Sequence, residues 1–153
     1  MKRKYLLSLL VVLTLFIFTG CEKKKEEPKP TEENKTKLVE NTDYKVNGEY
    51  TGTFFDVKKR GYYIDTLNEP NAPYYYIICM GEKSTGGYSL KVKEVNKIDD
   101  KTEIIIEEIT PGENDTVTEA FTYSTIIVEF PKYQENLVIK NTKGEEFSPL
   151  NDY

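Results

Sequence analysis

The chain has 153 residues, with 21 Lys and Arg against 26 Asp and Glu, and a formal net charge of −5. That sign argues against charge-driven binding to nucleic acid or to an anionic lipid surface. There is no histidine, which excludes Ser-His-Asp and Cys-His catalysis and nearly all catalytic zinc sites.

The first element is Met1–Cys21, MKRKYLLSLLVVLTLFIFTGC. Lys2, Arg3 and Lys4 form a basic head, Tyr5 to Phe18 an apolar run, and Thr19-Gly20 place two small residues before a cysteine. The run falls short of the roughly 20 apolar residues that a membrane span needs. A charged, proline-containing stretch follows it. The segment resembles a bacterial lipoprotein signal with its lipobox, Phe18-Thr19-Gly20-Cys21. The resemblance implies cleavage after residue 20 and a thioether-linked diacylglycerol on Cys21. Two or more long chains anchor firmly, at about 0.8 kcal/mol per buried methylene. It also implies export, with the protein held on the outer face of the cell membrane, or on the outer membrane of a diderm cell. Without residues 1–20 the chain keeps 18 Lys and Arg against 26 Asp and Glu, a net charge near −8.

Residues 21–43 come next. From Glu22 they are dominated by Lys, Glu, Pro, Thr and Asn. Such a stretch buries too little surface to offset its ordering entropy, which predicts a disordered tether. Its mean end-to-end distance is about 25 Å for a flexible chain, and its full reach about 70 Å. A charged helix over Glu32–Glu40 is the alternative.

From Tyr44 to Tyr153 short runs of Tyr, Ile, Val, Phe and Thr alternate with Gly, Pro, Asn and Asp. Strands are expected at Tyr50–Lys58, Gly61–Asp65, Tyr74–Met80, Tyr88–Val95, Thr102–Ile109, Thr116–Thr122, Thr125–Phe130 and Leu137–Asn141. Tyr88, Leu90 and Val92 alternate with Ser89, Lys91 and Lys93, the mark of a strand with one wet face. Asn96–Lys101 is read as the turn of a hairpin. Seven to eight short antiparallel strands predict an all-β domain, a small β-sandwich or barrel.

Between two of these strands lies Gly81-Glu82-Lys83-Ser84-Thr85-Gly86-Gly87-Tyr88. Paired glycines allow positive φ and a close backbone approach. From Tyr74 to Phe130 the chain reads YYIICMGEKSTGGYSLKVKEV, then KTEIIIEEITPGENDTVTEAFTYSTIIVEF. This order of strand, TGGY loop, hairpin and proline-containing turn resembles the C-terminal domain family of the protease complex subunit PrcB. Tyr123-Ser124 stands where the family often has Tyr-Pro. The resemblance implies a non-enzymatic accessory protein, without cofactor or catalytic residue, that binds a partner protein such as an extracytoplasmic protease. Lys83, Ser84, Thr85, Gly86, Gly87 and Tyr88 are then the candidate partner-binding loop. A protease inhibitor acting through Thr85-Gly86-Gly87-Tyr88 is one alternative. An envelope- or carbohydrate-binding module is another, using Tyr62-Tyr63 and Tyr74-Tyr75-Tyr76.

Other residues favour plainer readings. With Cys21 committed to lipid, Cys79 is a lone thiol in an apolar run and is expected in the core. Asp99-Asp100 and Glu113-Asn114-Asp115 lack the ligand spacing of a calcium loop and read as turns, so no metal site is expected. Glu107 and Glu108 point to opposite faces of one strand, which suits no acid–base pair.

Overall fold

The computed structural model describes residues 34–47, 56–67 and 70–151. The signal segment with Cys21, and most of the first expected strand, lie outside the described residues. Those residues form eight strands: β1 (Lys35–Lys37), β2 (Lys45–Asn47), β3 (Arg60–Asp65), β4 (Tyr74–Met80), β5 (Ser89–Ile98), β6 (Lys101–Ile109), β7 (Thr125–Phe130) and β8 (Leu137–Asn141). One sheet runs β1-β5-β6-β8 and the other β2-β7-β4-β3. The all-β expectation holds, and of its two forms the structure takes the sandwich of two sheets, not the closed barrel.

The core lies between the sheets. Tyr62 and Ile64 of β3, Tyr76 and Ile78 of β4, and Val128 and Phe130 of β7 face Val95, Ile104, Ile106 and Ile139 of the other sheet. Tyr76 is fully buried, with its ring edge-on to Phe130 at 5.6 Å, and its hydroxyl accepts from Gln134 N at 2.9 Å. Tyr63, Ile77, Cys79 and Ile127 form a second cluster from the alternate positions of the same sheet. This explains why Tyr74–Met80 is unbroken in its apolar character. As an inner strand, β4 buries both faces.

In the hairpin of β5 and β6 the register shifts between Val92 and Glu94. The extra residue, Lys93, reverses the alternation, so Val95 and not Glu94 turns inward to pair with Ile104. Both strands run further than expected, to Ile98 and from Lys101, and leave a two-residue turn with Asp99 at φ +54°.

Four expectations need correction. Lys35–Lys37, placed in the tether, pair with Ile98–Asn96 as β1, and Leu38 packs on the core. Asp56–Lys58, the described end of the first expected strand, form no strand, and Val57 and Lys58 lie in a turn. Thr116–Thr122 is an irregular strap whose one strand-like contact among the described residues is the Lys83–Thr122 bridge. Finally, β8 runs parallel to β6, with Thr102 opposite Leu137 and Ile106 opposite Asn141. The chain crosses from one sheet to the other between β7 and β8, so no hairpin dictates an antiparallel return.

Candidate partner-binding loop

The loop Lys83–Tyr88 joins β4 to β5 at one end of the sandwich, and neighbours hold it on both sides. On one side Glu82 N donates to Lys58 O at 3.0 Å. On the other, Lys83 and Thr122 exchange two backbone hydrogen bonds of 3.0 Å, and Gly86 N donates to Thr118 O at 2.9 Å. Side chains add to this bracing. The Thr122 hydroxyl donates to Thr85 O at 2.7 Å, and the Ser124 hydroxyl to Tyr88 O at 2.6 Å. The Tyr123 hydroxyl donates to Glu82 Oε2 at 3.0 Å, and that hydrogen bond pushes the phenol pKa up.

The two glycines serve this internal contact. A Cβ on Gly86 would stand 2.5 Å from Thr118 Oγ1. Gly87 has φ +86°, and its Cβ would stand 2.9 Å from Pro111 Cβ and 3.0 Å from Val117 Cγ1. The close approach that the glycines permit is therefore to the 111–122 strap of the same chain. Ser84 is exposed; Lys83, Thr85 and Tyr88 are half-buried. Lys83 Nζ lies 5.6 Å from the centre of the Tyr88 ring. The loop thus brings all six candidate residues onto one braced turn. Phe121 joins them there and is 65% exposed. A strand over Thr116–Thr122 gives Phe121 no such exposed position, and the structure forms no strand there. Glu119, between Val117 and Phe121, was the sign that no continuous apolar face exists there.

An ionic cluster links the sheets. The Arg60 guanidinium of β3 lies 3.4 Å from both carboxylate oxygens of Glu108 on β6, and donates to Glu146 O at 2.7 Å. Asn141 Nδ2 donates to Glu108 Oε2 at 2.6 Å. Burial raises the Glu108 pKa, but the Asn141 hydrogen bond and the charge and hydrogen bonds of Arg60, with help from Lys83, bring it below the ordinary carboxyl value.

The remaining candidates separate. Tyr62, Tyr63 and Tyr76 are buried, which leaves Tyr74 and Tyr75 half-buried from the expected aromatic patch. Tyr74 packs on Tyr133 at 5.4 Å, beside an open depression of about 460 Å³. Asp115 accepts from Gly112 N at 2.7 Å, and Asp100 from Asn136 Nδ2 at 2.8 Å, as turn residues do. Cys79 is fully buried, as expected.

Two packed sheets with a stiffened loop at one end define an all-β sandwich domain. Residues 74–131, which contain β4 to β7, the loop and its strap, match the family model described as PrcB C-terminal. Over that stretch the chain resembles the PrcB C-terminal domain family. No curated protein and no solved structure matches the chain.

Proposed function

We propose that this is a lipid-anchored, non-enzymatic accessory protein that binds a partner protein through the Lys83–Tyr88 end of its sandwich, the partner being an extracytoplasmic protease. The observation that carries the reading is the PrcB C-terminal match, which spans both the loop and the strap that braces it. Preorganised loops bind with little ordering cost, so the bracing hydrogen bonds favour a recognition role. The lipobox-like Phe18-Thr19-Gly20-Cys21 supplies the anchor, and the polar residues that follow supply reach.

The test has two arms. Cells producing the full chain are fed a labelled fatty acid; label is expected on the wild type and absent from Cys21→Ala. Membranes are then solubilised, and proteins bound to the anchored form are identified and assayed for peptidase activity. An exported protease in stoichiometric amount supports the proposal. Recovery of no protein, or of proteins without peptidase activity, rejects the protease reading. Strong inhibition of the recovered protease would move the assignment to inhibitor.

A further inference from the structure

Phe121 is a large apolar side chain in water, yet its mount is stiff. Its neighbour Thr122 is held to Lys83 by two backbone hydrogen bonds and to Thr85 by its hydroxyl, and Thr118 O receives Gly86 N. The intervening Glu119 and Ala120 form a bend, and both are exposed. The bracing thus holds the backbone on both sides of Phe121 and leaves its ring outside the core, where it contributes little to folding. Rigid aromatic side chains in that setting are the usual energetic anchors of protein contacts.

We propose that Phe121 is the anchor of the partner contact, inserting into a concave apolar pocket of the partner protein, with Ser84 and Glu119 at the rim. This rests on the accessory-protein reading above. A protein pocket fits better than a membrane for two reasons. Exposed Glu82, Glu113, Asp115 and Glu119 lie on the loop and strap, and the whole chain is net negative, so an anionic lipid surface repels this end. With the chain already held by lipid on Cys21, a single phenylalanine would also add little to membrane attachment. The acidic neighbours predict basic residues around the partner's pocket.

The experiment places a photoreactive benzoylphenylalanine at position 121 of the full-length anchored protein, in its own cells. The same probe at Lys132, on the connection between β7 and β8, is the control. A protein adduct from position 121 alone is expected, mapped to an apolar peptide of the partner. That partner should bind Phe121→Asp about 30-fold more weakly than wild type, and Phe121→Tyr nearly as well. The exposed site should leave the thermal midpoint of both variants unchanged; if Phe121→Asp shifts it, Phe121→Ser replaces it in the comparison. Lipid adducts, or adducts to a second copy of this chain, overturn the proposal. If wild type and the polar variant capture the same protein equally, the accessory reading stands and the anchor role falls. If neither captures a protein, both fall.

Discussion

The guanidinium of Arg60 lies 3.8 Å from the centre of the Phe147 ring. Arg60 belongs to β3, the edge of one sheet, whereas Phe147 N donates to Ile139 O of β8, the edge of the other. The next residues then pair with β3: Tyr62 N donates to Ser148 O at 3.0 Å, and Leu150 N to Tyr62 O at 2.8 Å. One C-terminal segment thus seals two sheet edges, and the stacked ring and guanidinium mark where it crosses. Covered edges protect a β-protein from pairing with other chains.

Arg60→Leu should therefore lower unfolding stability by about 2 kcal/mol, because it leaves the half-buried Glu108 carboxylate without its cation. Phe147 is 3% exposed, and Phe147→Ala should cost more, about 3–5 kcal/mol. Urea unfolding followed by tyrosine fluorescence measures both. The two residues touch, so the double variant should lose less than the sum of the single losses. Strict additivity would show that the stacking contributes nothing.

Glu108 also sets a pH dependence. Its folded pKa lies below the ordinary carboxyl value, because Asn141 and Arg60 outweigh the opposing effect of burial. Its contribution is therefore complete above the unfolded carboxyl pKa and is lost as pH falls through the lowered folded value. Between pH 7 and pH 3 the urea midpoint of the wild type should fall more steeply than that of Glu108→Gln. Parallel curves would remove Glu108 from the acid response.

The elements that were legible in the sequence are those whose pattern comes from burial. Tyr74–Met80, Thr125–Phe130 and Leu137–Asn141 have the expected bounds, because their apolar residues fill the core between the sheets. Lys35–Lys37 gave no signal. All three side chains are exposed, and pairing with β5 alone makes them a strand. Thr116–Thr122 has strand-like residue types, but its hydrogen bonds go to a loop and not to a ladder. The TGGY tetrapeptide marked where the candidate site lies. Its glycines were harder to read, since only the fold shows that Pro111, Val117 and Thr118 fill the space beside them.

That packing makes the glycines a structural test of the loop. Gly87→Ala combines a positive φ with a 2.9 Å approach to Pro111 Cβ, and should cost about 1–3 kcal/mol. Gly86→Ala meets the Thr118 hydroxyl at 2.5 Å. It should be partly rescued by Thr118→Ala, which removes the obstructing oxygen, whereas Gly87→Ala should not be. Thermal unfolding of the four variants decides this. Equal rescue of both glycine variants would mean that the strap relaxes as a whole.

Cys79 reports on the second cluster, of which it is a fully buried member. Burial, with a smaller push from Asp56, raises its pKa to about 11. A thiol is reactive only as thiolate, so at pH 8 native protein carrying Cys21→Ala, in which Cys79 is the one cysteine left, should resist a disulfide reagent, while the same protein in denaturant reacts at once. The native labelling rate should then track opening of the domain, its logarithm rising in proportion to the lost stability, about 30-fold in Arg60→Leu for a loss of about 2 kcal/mol. The raised pKa also fixes a sign at high pH. The contribution of this thiol is complete below the unfolded value of 9.0 and is lost as pH rises towards the folded one. Cys79→Ser puts a hydroxyl in the same site and should cost about 1–3 kcal/mol, while ending the labelling. Rapid labelling of the native wild type would mean that the cluster opens locally, without unfolding of the domain.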